Sequence, residues 1–146
     1  MKTPIQFFLR CDDKASRFYA VEVHPTHRSF VRAVCRLGLD RKEAASSRAI
    51  CCRFELKNPH PEHKQLGTIF FVLGDMGPEV VVHELTHAAC GWARDAALNP
   101  IGPYRRRRPR TDSEELFAVQ LQSLFEQFYR NLSAATSKVP ELRLAA

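Results

Sequence analysis

The sequence predicts a single α+β domain, and three observations carry that expectation. Two runs near the N-terminus alternate apolar and other residues, Ile5-Phe7-Leu9 and Tyr19-Val21-Val23. Residues 66–73 form a nearly continuous apolar run, as in a strand covered on both faces, and two later segments repeat apolar residues at helical spacing. The chain has 146 residues, 45% hydrophobic and 26% charged, enough to bury roughly two-thirds of its unfolded surface in one core.

The elements follow in order. The first two runs, joined at Asp12-Asp13-Lys14, read as an antiparallel hairpin that begins an N-terminal antiparallel sheet. From Ser29 the spacing turns helical, with Phe30, Val34 and Leu37 on one face, Arg28, Arg32 and Arg36 on another, and Gly38 as the C-terminal cap. Asp40 with Glu43 predicts a capping box opening a short second helix. Ile50, Cys52, Phe54 and Leu56 alternate as a half-buried strand, and Asn58 to His63 reads as a loop because its prolines remove donors.

Pro78 fits the first turn of a helix running to about Gly91 or Leu98, stopped by Asn99-Pro100 and Gly102-Pro103. Thr111-Asp112-Ser113, followed by Glu114 and Glu115, opens another, with Phe117, Leu121, Leu124, Phe125, Phe128 and Leu132 as its apolar stripe. Residues 134–146 are expected to form a loose tail. Residues 1–146 therefore read as one domain.

Composition narrows the function classes. No apolar run approaches the roughly 20 residues of a membrane span, and the N-terminus lacks the apolar stretch of a signal peptide, so a cytoplasmic protein without a membrane partner is expected. The five cysteines contain no CxxC and include the adjacent Cys51 and Cys52, which suits reduced, buried thiols. Of the net charge of +6, five charges come from Arg105, Arg106, Arg107, Arg108 and Arg110; without them the balance is +1. The basicity is local, which weakens a general nucleic-acid reading and leaves Arg105–Arg110 as a possible contact for nucleic acid or an acidic protein segment, or simply a solvated loop.

The most specific segment is His83-Glu84-Leu85-Thr86-His87, an HExxH on a predicted helix. Residues i and i+4 share a helix face, so both imidazoles can approach one cation, while Glu84, offset by about 100°, can reach a water beside it. Shuffling this composition yields the pattern about 0.02 times per chain. The flanking Val80, Val81, Val82, Ala88, Ala89 and Cys90 predict a mostly buried setting for the histidines. A catalytic zinc needs a third protein ligand. The continuation through Cys90 and Ala93 departs from the glycine and third histidine of the metzincin pattern, so a carboxylate or an upstream histidine must serve.

Over residues 68–125 the sequence resembles a zincin metallopeptidase of the gluzincin branch, in which a glutamate on a downstream helix is the third ligand. Glu114-Glu115-Leu116-Phe117-Ala118 opens such a helix 27 to 28 residues after His87, and its Glu-x-Phe-Ala is similar to that of small uncharacterised phage or mobile-element metallopeptidase-like proteins. The resemblance implies a small zincin-like domain holding one Zn2+ through His83, His87 and Glu115, with Glu84 as general base. Glu114 is the alternative ligand, since a helical wheel puts it inside the apolar stripe and Glu115 at its margin. Gluzincins often carry an aspartate four residues after the ligand glutamate; Val119 stands there, leaving the support of the histidines unassigned.

The implied activity is zinc-dependent endopeptidase hydrolysis: the metal lowers the pKa of water toward 7, Glu84 takes its proton, and the peptide carbonyl is attacked. Zincins pair an extended substrate with an edge strand; Thr68 to Leu73 is a candidate, although so apolar a strand also suits the sheet interior. Tyr104, Tyr129 or an arginine of the 105–110 run are candidates to stabilise the oxyanion. The pairs His24/His27 and His60/His63 have metal-like spacing, but neighbouring prolines favour surface loops. Cys90 and Trp92 read as packing residues. The alternative function is a catalytically silent, metal-stabilised binding module using the Arg105–Arg110 loop.

Overall fold

The computed structural model describes residues 3–11, 17–53, 64–96 and 112–137. They form a mixed α+β fold with one four-stranded sheet, as the alternating and helical patterns predict. The strands are β1 (Ile5–Arg10), β2 (Arg17–His24), β3 (Ala49–Arg53) and β4 (Lys64–Val72). The helices are α1 (His27–Arg36), α2 (Arg41–Ser46), α3 (Pro78–Asp95) and α4 (Asp112–Ser137). None of the described helices is long and apolar enough to cross a membrane.

The sheet order is β1-β2-β4-β3. β1 and β2 form the expected antiparallel pair, with Phe7 opposite Val21 and Leu9 opposite Tyr19. β2 runs parallel to β4, however, so the sheet is mixed rather than wholly antiparallel. The parallel step is possible because α1, α2 and β3 lie between these strands in sequence, giving the crossover that parallel neighbours require. β4 is enclosed by β2 and β3, which accounts for its burial at Leu66, Thr68, Ile69, Phe70, Phe71 and Val72. It is therefore not the edge strand proposed from its position before the helix. That place belongs to β3, which runs antiparallel to β4 with Cys51 opposite Ile69 and Arg53 opposite Gly67.

Helices cover both faces. Phe30 and Val34 of α1 and Ala44 of α2 pack with Cys52, Phe70 and Val72 on one side. On the other, α3 and α4 pack on Tyr19, Val21, Val23, Ile69 and Phe71. α1 starts two residues earlier than its apolar spacing indicated, because Thr26 caps it by accepting the Ser29 N–H. Leu37 is exposed rather than part of the helix's buried face, and Gly38 follows with φ +89°, the left-handed conformation expected of a capping glycine. Asp40 caps α2 by accepting from the N–H groups of Lys42 and Glu43.

α4 buries Leu124 and Phe128 completely and half-buries Phe117, Leu121, Phe125 and Leu132. It continues through Ser137, so residues 134–137 are helical rather than a loose tail; Thr136 and Ser137 there donate side-chain hydrogen bonds back to the preceding turn. The Asp12-Asp13-Lys14 turn, the Asn58 to His63 loop with its histidine pair, Tyr104 and Arg105–Arg110 lie outside the described residues.

Candidate metal centre

α3 begins at Pro78, preceded by Gly77 in extended conformation, and carries Glu79 in its first turn, where a negative charge faces the helix N-terminus favourably. Its buried face is Val80, Val81, Glu84, Leu85, Ala88, Ala89, Trp92 and Ala93. His83 and His87 lie to one side of that face and are exposed, while Glu84 is buried. This reverses the expected burial. The apolar flanks turn toward the sheet, and the 3.6-residue pitch carries positions 83 and 87 out from under it.

The two histidines converge. Their Nε2 atoms are 3.1 Å apart and the rings meet edge to face, with centroids 4.7 Å apart. Two nitrogens bound tetrahedrally to one ion at about 2.05 Å stand about 3.3 Å from each other, so the pair fits two corners of a zinc site. The same separation also serves an N–H···N hydrogen bond between the rings. Partial burial, with smaller effects from His83 and Arg53, lowers the His87 pKa and favours the neutral imidazole that a metal needs.

Glu84 points beneath β3, where its carboxylate accepts a hydrogen bond from the Cys51 backbone N–H. Burial raises its pKa, opposed by His83 and by that hydrogen bond. A carboxylate moved toward neutrality is a better proton acceptor for work at ordinary pH. The strand geometry explains how the hydrogen bond arises. The Arg48 carbonyl accepts the Val72 N–H, so in the alternating antiparallel ladder Ile50 and Cys52 face β4 while Ala49, Cys51 and Arg53 turn their backbone groups outward. Glu84 takes one of those outward donors. Burial, with Glu84 nearby, pushes the Cys51 thiol up to about 12 and the Cys52 thiol up to about 11, so both stay protonated and unreactive.

Among the described residues no third histidine, cysteine, aspartate or glutamate joins the pair. Glu115 stands exposed near the start of α4, and the side chain of Glu114 is outside the description. Val119, at the position of the expected supporting aspartate, is exposed. Tyr129 packs on Phe125 and Phe128, about 20 Å along α4 from Glu115 at 1.5 Å per residue, so the two cannot both attend one ion.

His24 is not a surface residue. It is buried against Phe30 and Phe70, with Nε2 3.2 Å from Glu22 Oε2, whereas His27 turns away to the Ser47 carbonyl, so the two do not share a ligand. Trp92 is buried and Cys90 half-buried, in keeping with packing roles. Residues that carry no motif complete the surroundings: Arg53 on β3, Tyr19 on β2 and Gly91 on α3 meet beside the histidines, a juxtaposition of three distant segments without a local sequence signal. No family model matches this chain, nor does any curated protein or solved structure.

Proposed function

We propose that this chain is a metal-dependent endopeptidase whose ion, zinc by the nature of its donors, is held by His83 and His87 with a glutamate from the start of α4, Glu115 or in its place Glu114. The observation that carries the reading is the convergence of two imidazole Nε2 atoms beside a buried glutamate and beneath an outward-facing strand. The cation supplies Lewis acidity toward a water and a carbonyl. Glu84 accepts the water's proton and delivers it to the leaving amine. β3 holds an extended peptide by main-chain pairing through the outward backbone groups of Ala49, Cys51 and Arg53, a geometry that favours peptides over compact substrates.

A second reading is favoured by the lack of a third donor among the described residues: a silent binding module that contacts protein or nucleic acid through Arg105–Arg110. Glu84→Gln separates the two. For the peptidase, hydrolysis of a fluorogenic peptide mixture by zinc-loaded protein falls about 100-fold or more, while zinc content is unchanged. Peptide hydrolysis that survives the substitution overturns the role of Glu84; no hydrolysis by the wild type, with zinc bound, leaves the binding module.

A further inference from the structure

Gly91 follows His87 by four residues, so it continues the same stripe of α3 about 6 Å along the helix. There the surface sinks into a cavity of about 640 Å³, lined among the described residues by Tyr19, Cys51, Arg53, Leu66, Gly91, Arg94 and Asp95. Glycine at position 91 lets the Tyr19 hydroxyl and the Arg53 side chain come close to the helix backbone. A Cβ at position 91 would collide with the Tyr19 hydroxyl and stand 2.9 Å from Arg53 Cδ.

The chemistry of the lining is uneven. Tyr19 is fully buried, and its hydroxyl has no hydrogen-bond partner among the described residues. A buried hydroxyl left unpaired is destabilising, and a ligand acceptor would relieve it. Arg53 and Arg94 are exposed at the walls and form no ion pair among the described residues. The one carboxylate present, Asp95, is already engaged: its Oδ2 accepts from Arg17 Nε at 2.6 Å. The cavity thus offers two guanidinium groups and a phenolic donor, with its internal negative charge matched.

We infer that this cavity receives an acidic side chain of the peptide, an aspartate or glutamate close to the bond that is cut, with the Tyr19 hydroxyl donating from the floor and Arg53 and Arg94 pairing from the walls. The assignment rests on the peptidase reading for its place beside the reaction, but the cavity's selectivity stands on its own lining. A chain extended along the outward edge of β3 runs beside the His83-His87-Gly91 stripe, and side chains on its inner face point at the opening. Leu66 supplies an apolar wall for the methylenes of the acidic side chain.

Two measurements on the full chain test this. Zinc-loaded wild type is given matched peptide libraries that differ only in Glu against Gln, and Glu84→Gln protein is titrated with fluorescein-labelled members of the same pairs, read by anisotropy. The expected result is a preference for the acidic member of about tenfold or more in both, reduced by Arg53→Gln and by Arg94→Gln and weakened by Tyr19→Phe, which removes only the unpaired hydroxyl. Cleavage with no acidic preference overturns the pocket and leaves the peptidase. Acid-selective binding without any cleavage by the wild type retains the pocket and removes the peptidase. Neither cleavage nor selective binding overturns both.

Discussion

The Cys51 backbone N–H on the edge strand donates to the carboxylate of Glu84 on the HExxH helix, tying the surface proposed to hold substrate to the residue proposed to move protons. On the peptidase reading the tie makes the position of β3 part of the chemistry. A displacement of the strand would change both the register of a peptide held there and the environment of Glu84.

Gly67 is where that position is most exposed to a single substitution. It pairs with Arg53 across the sheet, and a Cβ there would collide with the Cys52 carbonyl oxygen and stand 3.0 Å from Arg53 Cα. Both obstacles are backbone, so neither can swing aside. Gly67→Ala is expected to cost about 1–3 kcal/mol in urea unfolding, with an unchanged denaturant slope, and to lower peptide turnover in the protein that remains folded. Wild-type stability and turnover would show that β3 is not held in this register.

Zinc binding should depend on both histidines. Loss of a group that merely orients a ligand costs about 10- to 100-fold in metal affinity, so His83→Ala and His87→Ala, each removing a donor, should cost at least that. Competition with a chromophoric chelator measures it. One of Glu115→Ala and Glu114→Ala should weaken binding and the other should not; if neither does, the third donor is not on α4.

Phe128 locks α4 to the sheet. Its ring is fully buried, 5.1 Å from Phe71 and 5.7 Å from Phe7 between centroids. Phe128→Ala should destabilise the fold by about 3–5 kcal/mol. Because the start of α4 is proposed to complete the metal site, zinc affinity should fall with it. Undiminished affinity in the destabilised variant would separate α4 from the ion.

His24 predicts an acid-side loss of stability. Burial lowers its pKa below the ordinary imidazole value, outweighing the opposite pull of Glu22. The folded protein therefore binds a proton there less readily than the unfolded chain. The contribution is complete above the unfolded pKa of about 6.5 and is lost as pH falls toward the lower folded value. His24→Phe, which keeps a ring against Phe30 and Phe70, should show a smaller drop in unfolding free energy between about pH 8 and pH 5 than the wild type. Equal drops would place the acid sensitivity elsewhere.

The helices and the HExxH were legible in the sequence because each rests on local periodicity: the Thr26 turn aside, caps and apolar stripes lie within a few residues of what they control. Exposure of the histidines was not. Apolar neighbours suggested burial at positions 83 and 87, whereas the angle at which α3 meets the sheet decides which side of the stripe is covered. The buried polar residues His24 and Gln120 and the identity of the edge strand were hidden for a related reason. Strand order depends on a crossover between β2 and β4, and nothing in the run from Leu66 to Leu73 says which neighbour will lie beside it. The cavity joins β2, β3, β4 and α3, segments far apart in the chain, and Gly91 carries no local signal because its contribution is the room it leaves for the Tyr19 hydroxyl.

The sheet's two borders differ. Along β1, Gln127 of α4 both accepts the Arg10 N–H and donates to the Arg10 carbonyl, and Asn131 donates to the Phe8 carbonyl, so side-chain amides stand in for a neighbouring strand. Nothing comparable closes β3 beyond the single bond from Cys51 to Glu84 among the described residues. A sheet sealed on one border can be extended once and then no further, which protects it from fibrillar growth. Two molecules meeting through β3 would form a closed twofold pair, each covering in the other the strand proposed to hold a peptide.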